Sequence, residues 1–192
     1  LFEDVSFEIH KGDRIAILGA NGCGKTTLLR ILTGGEEADN GRVAWVGNSA
    51  YIYYNQIFAD LDLNDTVSHA VNVVGLAYLA PRKKVNQFLS LLQFSELDLK
   101  KPVGALSGGQ RARVALAQCL LSGANVLILD EPTNHLDLTS TQVMERALIN
   151  FPGAVVVVSH DRFFIDKIAT RLLVFAGQGR VIDFAGNWTL MQ

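Results

Sequence analysis

Cysteine is scarce in this chain. Cys23 and Cys119 are the only two among 192 residues, and no C-x-x-C pair occurs. That excludes a disulfide framework and the common zinc spacings, and it fits a reducing compartment. Long apolar runs are missing too, since no uninterrupted stretch reaches the roughly 18 residues of a membrane span. There is no basic block: 17 Lys and Arg stand against 19 Asp and Glu, for a net charge of −2. Composition therefore gives no support for direct nucleic-acid binding, and DNA is not an expected partner. Internal repeats, low-complexity tracts and linkers are also lacking. The chain opens on Leu1-Phe2-Glu3-Asp4, without an initiator Met or a signal-peptide layout, so it is expected to be a piece of a longer protein. With 49% hydrophobic and 19% charged residues, what is present has the make-up of one globular domain with a full core.

One stretch organises the rest. The apolar run Ile15 to Leu18 leads into Gly19-Ala20-Asn21-Gly22-Cys23-Gly24-Lys25-Thr26-Thr27, which opens onto Leu28-Leu29-Arg30-Ile31-Leu32. The order is strand, glycine loop, helix, and the loop fits G-x-x-x-x-G-K-[ST]. Glycines let successive N–H groups turn inward onto phosphate oxygens, and the following helix adds its positive end. Lys25 supplies a full charge for the β- and γ-phosphates, and the Thr26 hydroxyl can ligate magnesium.

Before this loop, Val5, Phe7 and Ile9 alternate with polar residues and predict a half-buried strand, followed by the strand Arg14 to Leu18. After it, Thr26 to Thr33 predicts a helix, and Arg42 to Val46 and Ala50 to Tyr54 predict two further strands. From residue 65 to 121 the pattern turns helical. Asp65 is the expected cap of a first helix, and Val85, Phe88, Leu89 and Leu92 line one face of a second, from Arg82 to Gln93. Leu106-Ser107-Gly108-Gly109-Gln110 precedes a long helix from Arg111 to Leu121. It reads either as a second anion-binding glycine loop or as a plain helix cap on Ser107.

Val126 to Leu129 is a continuous apolar run, as in a buried parallel strand, and it ends in Asp130-Glu131. Carboxylates at the C-terminal end of such a strand stand where open α/β sheets bind ligands. Asp130 is placed to hold magnesium and Glu131 to orient and deprotonate a water. A helix from Leu138 to Asn150 follows. Ala154 to Val158 predicts another buried strand, which brings His160 to the same sheet edge. Arg171 to Phe175 and Arg180 to Phe184 predict a hairpin over Gly177-Gln178-Gly179. Gly186-Asn187-Trp188 near the end has no functional reading.

With these residues in place, the chain resembles the nucleotide-binding domain of ATP-binding cassette (ABC) proteins over nearly all its length. Gly19 to Thr26 matches Walker A, Gln56 the Q-loop, and Leu106 to Gln110 the LSGGQ signature. Val126 to Glu131 matches Walker B with the catalytic glutamate, and His160 the switch histidine. The resemblance implies one α/β, P-loop (RecA-like) ABC domain spanning 1–192. Its core and antiparallel β lobe would cover 1–64 and 122–192, and a helical signature lobe 65–121. It implies ATP and Mg2+ as cofactors, with nucleotide contacts from Gly19 through Thr27 and from Gln56. Thr26, Gln56 and Asp130 would serve the metal, and Lys25, Glu131 and His160 catalysis. It also implies a second cassette as partner, whose ATP would meet Ser107, Gly108, Gly109 and Gln110. The family's adenine-stacking aromatic lies upstream of Val5's strand and outside this chain, and Phe2 is not assigned that role.

Glu131-Pro132-Thr133-Asn134-His135-Leu136-Asp137 and Ser159-His160-Asp161-Arg162-Phe163-Phe164 look like the ABC-F subfamily. These are soluble twin-cassette proteins that act on ribosomes in translation. Gln110 departs from the Glu often found in ABC-F signatures. The expected function is thus that of a cytoplasmic ABC-F ATPase on the ribosome, without direct membrane insertion. The ATPase subunit of an ABC membrane transporter is the alternative, and a nucleotide-switched scaffold with negligible turnover is a third reading that intact Glu131 and His160 disfavour.

Overall fold

Five successive buried residues, Arg14–Leu18, form strand β1, and the other strands of the sheet assemble around it. A computed structural model describes residues 1–77, 82–134 and 136–191. The helix α1 spans Lys25–Leu32 and β2 spans Tyr51–Tyr53; a short helix α2, Tyr54–Ala59, follows at once. Then come α3 (Val67–Ala77), α4 (Arg82–Leu91) and α5 (Gly108–Leu121). The remainder is β3 (Val126–Asp130), α6 (Leu138–Ile149), β4 (Ala154–Val158), α7 (Arg162–Ile168), β5 (Arg171–Gly177), β6 (Arg180–Ala185) and α8 (Trp188–Met191).

The sheet order is β2-β3-β4-β1-β5-β6. β1 runs parallel to both β4 and β5, and β3 runs parallel to β4. Strands buried on both faces need no polar alternation, which is why β3 and β4 read as continuous Val, Leu and Ile. Register then fixes the site. Ile17 pairs with Val158 and Asp130 also pairs with Val158, so β1, β3 and β4 all end at one sheet edge. The single antiparallel pair among the registered strands is the β5–β6 hairpin, whose turn matches the expected Gly177-Gln178-Gly179.

The chain divides into two compact units. The first comprises Leu1–Tyr51, Asn125–Thr133 and Phe151–Gln192, and the second Ile52–Ala124 and Asn134–Asn150. The first holds β1 and β3 to β6 with α1, α7 and α8. Its base is tied by the Arg14 guanidinium, which donates to the carbonyls of Gly12, Asp13 and Gly153 at 3.1, 3.0 and 2.7 Å, and to that of Phe151. The second unit is helical, with Val67, Val71, Val85, Leu89, Val114, Leu116, Met144 and Leu148 fully buried in it. It is wider than the helical lobe expected at 65–121, because α2 and α6 belong to it.

Three expectations need correcting. Residues 5–9 alternate between half-buried and exposed as the pattern predicts, yet they form no strand. Alternation records which face is covered, not whether a ladder partner exists: the carbonyl of Glu8 accepts from Arg171 at 2.7 Å instead. Residues 42–46 form no strand either, and only Trp45 among them is partly covered. Trp45 donates its ring N–H to Leu32 O at 3.1 Å and, with Tyr51, which donates to Thr33 O at 2.6 Å, closes the C-terminus of α1. Finally, Thr66, not Asp65, caps α3. Its hydroxyl accepts from the N–H of His69 at 3.2 Å, while Asp65 pairs with the His69 ring at 2.6 Å.

Arg171 joins three segments of the first unit. It is bidentate to Asp183 across the hairpin, lies 3.5 Å from Asp13, and holds Glu8 as above. The guanidinium hydrogen bond keeps the Asp183 carboxyl below the ordinary carboxylate range. Arg171→Ala should cost about 1 kcal/mol, given the partial exposure of the pair, and lower Tm by roughly 2–4 °C in thermal denaturation. Because the folded Asp183 has the depressed pKa, this contribution is present at neutral pH and is lost as pH falls below about 4. The Tm difference between wild type and variant should therefore narrow in acid.

Candidate active site

The glycine loop delivers Lys25 at the first position of α1. Gly24 before it adopts φ +110°, a left-handed conformation that a side chain resists. A Cβ at Gly24 would also lie 2.9 Å from the Phe2 ring. Phe2 packs edge-on against Phe175 at 5.5 Å, so this residue, left unassigned from sequence, supports the underside of the loop. Lys25 is buried, and its ammonium donates to the carbonyls of Gly19 and Ala20, both at 2.9 Å. Ala20, Asn21 and Gly22 are exposed, while Cys23 and Thr27 are half-buried.

Directly after Lys25, the Thr26 hydroxyl donates to Asp130 Oδ2 at 2.8 Å. The first turn of α1 and the end of β3 thereby place two hard oxygen donors side by side. Magnesium commonly takes one or two protein oxygens and completes its shell with water and substrate phosphate. The residues fit that chemistry, and among the described residues no cluster of three or more His, Cys, Asp or Glu forms a separate metal cage.

Glu131 follows on the same strand end at φ +48°. Its N–H donates to Val158 O at 2.8 Å, extending the β3–β4 ladder by one bond. The carboxylate turns toward the end of β4. Oε2 accepts from the backbone N–H of His160 at 3.2 Å, and Oε1 lies 3.4 Å from His160 Nε2. Oε1 is buried and, among the described residues, makes no hydrogen bond of good geometry. The His160 ring is about half exposed, and the helix behind it is capped by Asp161, which accepts from Phe164 N at 3.1 Å. Lys25, Thr26, Asp130, Glu131 and His160 thus converge on one sheet edge within the first unit.

The other predicted residues lie in the second unit. Gln56 falls in α2, and its side chain lies outside the described residues, as does His135. Ser107 is the N-cap of α5. Its hydroxyl accepts from Gln110 N at 3.2 Å, and Gln110 Oε1 accepts from Ser107 N at 3.0 Å. This reciprocal capping box makes Gly108, Gly109 and Gln110 the first helical turn, so α5 begins three residues before the expected Arg111. The Ser-x-x-Gln spacing carried that signal. Asp137 caps α6 in the same way, accepting from Ser140 N at 2.6 Å, a bond that holds its carboxyl below the ordinary range.

The model of the ABC transporter family matches residues 2–134. The chain belongs to the ATP-binding cassette family. The energy-dependent translational throttle protein EttA of Haemophilus influenzae is 40% identical over 195 aligned positions, covering 98% of this chain and 34% of that protein. The ATP-binding protein Uup of Escherichia coli K12 is 38% identical over 191 positions, covering 98% and 30%. Both are ABC-F proteins, in keeping with the resemblance of Glu131–Asp137 and Ser159–Phe164. This chain spans about a third of the length of these relatives.

Among solved structures, a chain in the complex of archaeal ribosomal stalk protein aP1 with archaeal ribosome recycling factor aABCE1 superposes with a TM-score of 0.71. It is 33% identical, over 86% of this chain and 32% of that one. The dimeric bacterial ABC transporter cassette MJ0796 superposes with a TM-score of 0.76 over 96% and 91% of the two chains; at 22% identity it shows the fold alone. Among the described residues no helix is long and apolar enough to cross a membrane.

Proposed function

We propose that this cassette binds ATP and hydrolyses it, and that it does so within a protein acting on ribosomes in translation. The observation that carries the chemistry is the convergence of Thr26 with Asp130 and of Glu131 with His160 at one sheet edge. The N–H groups of Gly19 to Thr27 cradle the phosphates, and Lys25 gives up its two carbonyl partners for β- and γ-phosphate oxygens. Thr26 and Asp130 would hold Mg2+, which supplies charge neutralisation to the phosphates when bound; Gln56 is the third residue proposed to serve it. Glu131 accepts the proton of the attacking water, and His160 faces the γ-phosphate as the in-line transition state gathers charge. Ser107, Gly108, Gly109 and Gln110 face ATP held by a second cassette in a head-to-tail pair.

The ribosomal reading is supported by the relatives: one is named a translational throttle, and another solved likeness is a ribosome recycling factor. The transporter alternative keeps support from likenesses such as cbiO1 of Clostridium perfringens, part of an ABC transporter complex, at 27% identity and TM-score 0.76. A ribosome-pelleting experiment separates them. Full-length protein carrying Glu131→Gln and the matching change in its second cassette should sediment with ribosomes in ATP and not in ADP. Recovery in membranes, with no ATP-dependent sedimentation, would overturn the ribosomal reading in favour of a transporter ATPase.

A further inference from the structure

The second glycine of the signature turn is closed in by its own helical unit. A Cβ at Gly109 would lie 2.6 Å from Ser140 Oγ, 3.1 Å from Asp137 Oδ2 and 3.3 Å from Ser140 Cβ. The first distance is shorter than packed side chains tolerate, so any side chain at 109 must turn the Ser140 hydroxyl aside or displace the start of α5 or of α6. Neither end gives way readily. The start of α5 is locked by the reciprocal Ser107–Gln110 bonds, and α6 by the bond from Ser140 N to Asp137. Ser140 is 0% exposed, and its hydroxyl fills the space directly beneath Gly109.

We infer that Ser140 and Asp137 are positioning residues for the signature turn. They form a seat that only glycine at position 109 can occupy, and the seat sets where Ser107 and Gly109 stand. This rests on the proposal that the signature turn meets ATP held by a second cassette. On this inference Gly109 is a glycine because α6 leaves no room for a side chain, independently of whatever lies across the interface.

The test is rescue by a second substitution in the same chain, measured as kcat and KM for ATP on the full-length protein. Gly109→Ala should lower kcat about fivefold or more, since misplacing a substrate-facing group by a fraction of an ångström suffices for that. KM should stay within about twofold, because the chain's own phosphate loop is untouched. Adding Ser140→Ala, or Ser140→Gly, to Gly109→Ala should recover most of the lost kcat by removing the 2.6 Å contact. If Gly109→Ala fails to fold, thermal unfolding of the same double variants reads the rescue instead. Double variants no better than Gly109→Ala alone by either readout would overturn the inference and place the glycine requirement at the nucleotide. A wild-type protein with no turnover above Lys25→Ala would instead defeat the function proposed above, and this inference with it.

Discussion

Glu131→Gln, made together with the matching glutamate of the second cassette, should cut steady-state ATP turnover about 100-fold or more while leaving ATP binding intact. The substitution is nearly isosteric, so what it removes is the basicity of one side chain. The structure makes that separation clean. The backbone of Glu131 is fixed by its bond to Val158 O and held at φ +48°, a conformation that costs a non-glycine residue about 1–2 kcal/mol. Gln meets the same backbone demand, and its amide oxygen can still accept from His160 N. The oxygen that changes character is Oε1, which has no good hydrogen bond among the described residues and stands 3.4 Å from His160 Nε2. A group placed this way can take a proton from water, and an amide cannot. Retained binding of a fluorescent ATP analogue with lost phosphate release is the expected pair of results. Unchanged turnover would remove Glu131 from the catalytic role.

Much of this site was legible because its parts are local in sequence. The loop Gly19 to Thr27 needs only its own glycines and the flanking strand and helix. The continuous apolar runs at Val126 to Leu129 and Ala154 to Val158 read as buried parallel strands, and both formed where the runs predicted. Parallel register then aligned their ends, so Asp130, Glu131 and His160 met without any signal linking them in sequence. What failed did so for physical reasons. Val5 to Ile9 has the alternation of a strand but no ladder, and 42–46 lacks a covered face as well as a ladder. The helix α7, at seven residues, is too short for a 3.6-residue period to show, and it was not among the expected elements. The Ala50 to Tyr54 aromatics read as one strand, but the chain turns helical at Tyr54. The seat around Gly109 was invisible because it joins residues 109 and 140, and nothing in a single sequence couples them.

Lys25→Ala should weaken ATP binding at this cassette about 100-fold, measured by titration of the full-length protein with ATP. Lys25 is 8% exposed, and among the described residues its charge is met by hydrogen bonds to the carbonyls of Gly19 and Ala20. Those two bonds keep the ammonium inside the loop, pre-aimed at the space the phosphates would occupy. The protein meets the cost of burying that cation partly with neutral dipoles, and a multiply charged phosphate chain is a far stronger partner. Truncating one member of such a desolvated charge pair typically costs about 2–5 kcal/mol, of which about 3 kcal/mol gives the 100-fold loss. The fold should tolerate the change, because Ala favours the first turn of α1 and removes a buried charge. Thermal unfolding without nucleotide should therefore show Lys25→Ala at least as stable as wild type, while the ATP-dependent rise in Tm disappears once the matching lysine of the second cassette is changed as well. A variant that kept its ATP-dependent rise would show that the loop's N–H groups alone carry binding, and would leave Lys25 a structural brace for the loop.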